Sequence, residues 1–289
     1  MNSALSISTM LNFPRAIPSN RDVPNCLEGD SLAVSRNYAY DETFYRYIER
    51  GAIRSAQVII PLVLDRLKTE SVLDVGCGVG AWVAEYHNQG IIACLGVDGD
   101  YVKESSLLVS PASFVARDVG QPFDLRRRFD LAQCLEVGEH LEPLASKTLV
   151  ANLVRHSDRV LFSAAVPGQG GENHINEQPY EFWRALFAEH EYIPYDFLRP
   201  LLRGTTAVEI WYRHNIMLYV AKRSQAQLLP AVARTHVPVK EPIADVSSLA
   251  YRMRKSILSV LPASMLTRLA IVKHRLLLLT RVPIGRRLR

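Results

Sequence analysis

From about residue 70 to residue 222 the spacing of apolar positions switches repeatedly between two patterns. Short continuous runs rich in β-branched residues read as buried strands. Apolar residues recurring every three or four positions read as amphipathic helices. Strand runs fall at Val72–Val75, Ile91–Asp98, Ser113–Asp118, Phe129–Glu136 and Arg159–Val166, with two closing strands near Tyr192–Leu198 and Ala207–Val220. Helical spacing begins at Ala81, with Trp82, Val83 and Tyr86 following, and recurs over 143–156 and 178–190. Two helices are expected before the first strand. Asp41 caps one through Arg50, which Gly51 ends; Ser55 caps the next, which carries Pro61. Alternation of this kind predicts a doubly wound α/β fold, a mostly parallel sheet with helices on both faces.

The stretch Val72-Leu73-Asp74-Val75-Gly76-Cys77-Gly78-Val79-Gly80 is a strand ending in a glycine turn that opens a helix. Glycines there permit positive φ and let a ligand approach the backbone without Cβ interference. The dinucleotide fingerprint spaces its glycines as G-x-G-x-x-G and seats a pyrophosphate on the helix N-terminus. Here the third glycine comes one residue sooner, and Asp74 would repel a pyrophosphate. That disfavours a nicotinamide oxidoreductase.

With Asp74, Gly76, Gly78 and Gly80 in this order, the segment resembles the cofactor turn of class I S-adenosylmethionine (SAM) methyltransferases. The resemblance covers about residues 37–222 and implies a seven-stranded sheet with its last strand antiparallel. It also implies that Asp74 suits the cationic methionine end of SAM. Asp98, at the end of the second strand, would accept the ribose hydroxyls, and Asp118, at the end of the third, would face the adenine amino group. All three acids fall at carboxyl ends of predicted strands, the edge where open α/β sheets bind ligands.

Two further segments reach that edge. Glu136-Val137-Gly138-Glu139-His140 ends the fourth strand. Its E-x-x-E-H pattern resembles the metal-binding segment of small-RNA 2′-O-methyltransferases and some ubiquinone-pathway O-methyltransferases. That implies Glu136, Glu139 and His140 as ligands for Mg²⁺ or Mn²⁺; alternatively Glu139 and His140 only start a helix and support the loop. The second segment runs from Pro167 to Gln178 and carries three glycines, Asn173, His174, Asn176 and Glu177. His174 is a candidate general base, a further metal ligand or a packing residue. Asn176 is a candidate cap for the following helix. Glu136, His140 and His174 are the candidate catalytic residues. Trp82, Trp183 and Phe187 read as core, and Trp211–Asn215 as part of a late strand with structural roles.

The expected chemistry is O-methylation of a small molecule or glycan. RNA or another diol-bearing acceptor with a divalent metal is the alternative, and a non-catalytic SAM-binding scaffold is the alternative outside enzymology.

Charge changes the picture only at the C-terminus. Of 34 Lys and Arg residues, ten lie in 251–289, which has no Asp or Glu. The rest of the chain therefore has 24 basic and 29 acidic residues, so the net charge of +5 is a property of the tail. The expected organisation is a leader (1–36), a methyltransferase domain (37–222), a linker with Pro230, Pro238 and Pro242 (223–250), and a basic helical tail (251–289) broken near Pro262. The tail suggests a solvated appendage, peripheral membrane contact, or, less favoured for want of aromatic platforms, nucleic-acid binding. Cys26, Cys77, Cys94 and Cys134 have no metal-ligand spacing, and Met1–Leu11 has no signal-peptide pattern. Both fit a cytoplasmic protein, with possible contact at the inner membrane surface.

Overall fold

The computed structural model describes residues 42–280. The expected leader, the Asp41 cap and the last nine residues of the tail lie outside the described residues. The strands are β1 (Ser71–Val75), β2 (Ala93–Asp98), β3 (Phe114–Ala116), β4 (Leu131–Leu135), β5 (Arg159–Ser163), β6 (Tyr192–Tyr195) and β7 (Met217–Ala221). They form one sheet in the order β3-β2-β1-β4-β5-β7-β6. Pairings among β1 to β5 are parallel, and β7 runs antiparallel to both β5 and β6.

Period-two alternation divides the strand side chains between two cores. Val72, Leu131, Leu161 and Leu218 face one; Leu73, Ala132, Phe162 and Tyr219 face the other. The first core is closed by α1 (Glu42–Leu64) and α2 (Ala81–Asn88) through Ala56, Ile59, Ile60, Val63, Trp82 and Tyr86. The second is closed by α3 (Ser146–His156) and α4 (Tyr180–Glu189) through Leu149, Leu153, Trp183 and Phe187. The core readings of Trp82, Trp183 and Phe187 therefore hold.

Four local readings are corrected. The two leading helices are one continuous helix, α1, because Gly51 does not end it. Gly51 is buried where a Cβ would stand 2.9 Å from Glu209, so the glycine serves a close approach. Nor does Ser55 cap a helix: its hydroxyl donates back to the Gly51 carbonyl at 2.7 Å and accepts from the Glu209 amide at 3.0 Å. The long closing strand is also shorter than expected. Ile210–Asn215 is a short helix, α5, and only Met217–Ala221 joins the sheet. Finally, Pro179 and not Asn176 stands at the N-cap of α4.

Residues 223–250 include a short helix, α6 (Pro230–Ala233), and lie against the β6 side of the sheet. Arg184 of α4 fastens this segment by donating to the carbonyls of Val237, Pro238 and Glu241. Two further helices follow, α7 (Leu249–Leu258) and α8 (Ala263–Thr280), separated at Pro262. Arg184→Ala should strand three carbonyls at a buried position. An expected loss of about 1.5–3 kcal/mol follows from hydrogen bonds to a charged donor, measured as a lower urea midpoint at unchanged m-value.

Candidate functional site

The glycine turn is formed as its sequence requires. Gly76, Gly78 and Gly80 all have positive φ, at 80°, 55° and 86°. Their surroundings differ. A Cβ on Gly76 would meet Val137 at 2.3 Å and one on Gly80 would meet Val109 at 2.9 Å, whereas at Gly78 nothing lies within 4 Å. Gly76 and Gly80 thus serve close packing as well as the turn, and Gly78 faces open space.

Asp74 and Asp98 are brought together beside that space. Asp74 is buried; one oxygen accepts from Gln133 at 3.1 Å and the other has no hydrogen-bond partner. Burial pushes its pKa up to about 7, with the nearby Asp98 adding to the shift. Asp98 accepts from the Gly78 amide at 2.6 Å, the Gly99 amide at 2.7 Å and the Tyr101 hydroxyl. Burial raises its pKa, and these hydrogen bonds offset part of that. Asp118 lies two residues beyond β3, and its carboxylate accepts from the Gly120 amide at 3.0 Å.

The second cluster is built from the turn after β4 and the loop after β5. The Glu139 carbonyl accepts from the amides of Ile175 (2.9 Å) and Asn176 (3.0 Å). The Asn176 side chain donates to the Gly138 carbonyl (3.0 Å) and the Ser146 hydroxyl (2.9 Å). His140 Nδ1 lies 3.2 Å from the Asn173 carbonyl. A carbonyl can only accept, so Nδ1 carries the proton and Nε2 holds the lone pair of the neutral ring. Burial pushes the His140 pKa down to about 3, which keeps the ring neutral.

These contacts set Glu139, His140 and His174 around one point, with one ligand atom from each within 4.8 Å of the others. The His140 and His174 rings meet edge to face, centroids 4.9 Å apart. Glu139 is wholly buried and neither carboxylate oxygen has a hydrogen-bond partner. Burial, then the neighbouring Glu136, raises its pKa well above the carboxylate range. A buried carboxyl without a partner is costly, and that cost would be relieved by a proton or by a bound cation. His174 Nδ1 lies 2.9 Å from Glu177, whose two oxygens also accept from the amides of Gly168 and Gly170. A carboxylate behind an imidazole is the usual outer support of a ligating histidine.

Glu136 stands apart from this trio. Its oxygens accept from Gln169 (2.8 Å) and Asn215 (3.2 Å), and Asn215 also donates to Gln169 (2.8 Å). Tyr180 donates to the side-chain amide oxygen of Asn215 at 3.1 Å. Glu136 has φ +56°, a left-handed conformation that costs a non-glycine residue of order 1–3 kcal/mol. Its pKa is raised by burial, against the hydrogen bonds from Gln169, Ser163 and Asn215. Glu177, Gln169 and Tyr180 received no individual role from the sequence, and Asn215 only a general structural one. Asn215 lies 79 residues from Glu136, and no local spacing announces such a pair.

Residues 46–196, just over half of the chain, match the family model described as a methyltransferase domain. No curated protein matches the chain in sequence. Among solved structures it is similar to the glycopeptide N-methyltransferase MtfA complexed with sinefungin, at 15% identity and TM-score 0.34 over 39% of this chain and 54% of that one. It is also similar to DesVI of Streptomyces venezuelae, at 20% identity and TM-score 0.37 over 47% of this chain and 62% of that one. The sugar N-methyltransferase KedS8 of a Streptoalloteichus species aligns at 17% identity and TM-score 0.47, over 68% of this chain and 98% of that one. The chain thus spans about half to three-fifths of the length of the first two. With the parallel sheet, the antiparallel β7 and the glycine turn after β1, the family match gives one conclusion: the chain belongs to the methyltransferase-domain family, the class I SAM-dependent methyltransferases.

Proposed function

We propose that this protein methylates an oxygen of a small-molecule or glycan acceptor that presents adjacent oxygen donors, next to a divalent cation held by Glu139, His140 and His174. The observation that carries the reading is the buried Glu139 carboxylate, both oxygens without a hydrogen bond, facing two histidines. Carboxylate oxygen with two imidazole nitrogens is a mixed donor set, which suits Mn²⁺ better than Mg²⁺. Glu136 contributes through Gln169 and Asn215 and not as one of the three ligands. When bound, such a cation would hold the acceptor's oxygens and favour loss of a hydroxyl proton. Glu177 orients His174, and the Asn173 carbonyl orients His140.

On the cofactor side, Asp74 would receive the methionine amino group, Asp98 the ribose hydroxyls and Asp118 the adenine amino group, with Gly78 giving access to the backbone. SAM supplies an activated methyl group on a sulfonium. The protein's share is alignment of the acceptor, which contributes through proximity. The fit rests on the unpartnered Asp74 oxygen and the open space at Gly78.

The metal reading is tested with Mn²⁺ alone. Titration should diminish the electron paramagnetic resonance signal of free Mn²⁺ and raise the melting temperature, since a ligand of the native state at 100 times its Kd adds about 2.7 kcal/mol. Glu139→Gln and His174→Ala should each abolish the effect. A folded wild type that leaves millimolar Mn²⁺ free overturns the metal. In that case EDTA would spare turnover, and His174→Ala, removing a base oriented by Glu177, would cost about 10²-fold or more. A screen of polyol and glycan acceptors with radiolabelled methyl donor identifies the substrate class.

SAM affinity should depend on pH. Asp74 holds its proton up to about 7 in the free protein, above the usual 3.8, so this group's contribution to stability falls as pH rises through that range. A cationic ligand prefers the ionised form. Binding therefore strengthens from pH 5.5 to 7, by up to about tenfold per unit, with proton release seen calorimetrically in buffers of different ionisation enthalpy. Asp98→Ala should weaken SAM by about 1.5–3 kcal/mol; unchanged affinity in the folded variant removes Asp98 from the site.

A further inference from the structure

We propose that the outward faces of α7 and α8 form a docking surface for an anionic phospholipid bilayer, which seats the protein with its acceptor loop near the lipid surface. The proposal goes beyond methyl transfer and stands independently of the acceptor and the metal.

The two helices each have an inward face committed to the catalytic end of the sheet. On α7, Lys255 pairs with Asp245 at 2.6 Å, and the Tyr251 ring meets the His214 ring at 5.1 Å between centroids. Arg254 donates to the Gln169 carbonyl at 3.0 Å, and a Cβ on Gly168 would stand 2.0 Å from the Lys255 carbonyl. On α8, the Thr267 hydroxyl accepts from the Asn173 amide at 3.1 Å. The inward faces therefore grip the loop that carries His174.

The outward faces have no such employment. On α7, Leu249, Met253 and Ile257 recur at i, i+4 and i+8 and are 71%, 67% and 65% exposed. On α8, Met265, Leu269 and Val272 recur at i, i+4 and i+7 and are 48%, 49% and 55% exposed. Val260, in the connection, is 79% exposed. Two apolar stripes on consecutive helices exceed the scattered exposure common on protein surfaces.

The charges around these stripes select the occupant. At 100° per residue, Arg252 and Arg254 border the α7 stripe on opposite edges, and Arg268 and Lys273 do the same on α8. All four are exposed, and 251–289 contains no acid at all. A shallow apolar stripe with cations on both edges matches a bilayer interface, where apolar side chains enter the acyl boundary and Lys and Arg meet anionic headgroups. A second copy applied through the same face would bring like charges together. Among the described residues no helix is long and apolar enough to cross a membrane, so the contact is with the surface.

The experiment is co-sedimentation of the full chain with phosphatidylcholine vesicles containing about one third phosphatidylglycerol, or none, at 50 and 300 mM salt. The wild type should partition to the anionic vesicles at low salt. Arg252→Gln/Arg268→Gln/Lys273→Gln should lose affinity by about 100-fold, at roughly fivefold per charge. Met265→Asp/Leu269→Asp should lose about tenfold or more while keeping its circular dichroism and its SAM thermal shift, because the stripe carries no core packing. A wild type that stays in the supernatant overturns the proposal. So does a stripe variant that binds as tightly as wild type, which would mean charge adsorption only. A wild-type dimer that the stripe variant dissociates, without vesicle binding, assigns the face to a second copy and also overturns it. No arm uses turnover, so failure here and failure of the methyl-transfer reading are separately visible.

Discussion

The candidate acceptor site depends on one clasp, between the turn after β4 and the loop after β5. The Glu139 carbonyl takes two amides from that loop, the Asn176 side chain returns a hydrogen bond to Gly138, and His140 meets the Asn173 carbonyl. These bonds lie among buried groups, where unpaired polar atoms are costly. They bring His174 to Glu139 and His140, 35 and 34 residues earlier in the chain. Without the clasp, two polar loops would share a sheet edge but no geometry.

Acids are collected at that edge, and burial acts on them in one direction. Asp74, Asp98, Glu136 and Glu139 are all held above their ordinary pKa, chiefly by desolvation. Parallel strands deliver their carboxyl ends together, so residues far apart in sequence crowd into one low-dielectric region. Asp74 and Glu139 each leave buried oxygen unpartnered. On the proposed reading one such gap suits the cationic end of SAM and the other a metal ion. Glu136, whose charge adds to the rise of the Glu139 pKa, is held by its own network with Gln169, Asn215 and Tyr180.

The C-terminal helices connect this chemistry to the surface. Gly168 has φ +77° and lies hard against the Lys255 carbonyl, an approach that only a residue without Cβ permits. The glycine-rich loop is thus ordered from two sides: by Glu177 from within, and by α7 and α8 from without. The same two helices carry the exposed apolar stripes, so the inward face of each is packed on the loop while the outward face is open to solvent.

The sheet was legible because buried parallel strands are written as local apolar runs, and the turn at Gly76–Gly80 because positive φ demands glycine there. The acids at the strand ends were legible by position alone. The leading helix was misread at Gly51 because a glycine that ends a helix and one that admits a neighbour look alike in sequence; Glu209, 158 residues away, decides between them. Ile210–Asn215 was misread because this segment is a short helix, from which Tyr212 packs onto Trp82 of α2 edge to face at 5.2 Å. Sequence by itself determined the fold and the glycine turn after β1, since both follow from periodicity and backbone sterics. Only the tertiary structure decided that His174 joins Glu139 and His140, that Glu136 pairs with Asn215, and that the basic tail has two faces. Those depend on contacts between distant segments, and hydrogen bonds across such distances leave no periodic trace in the chain.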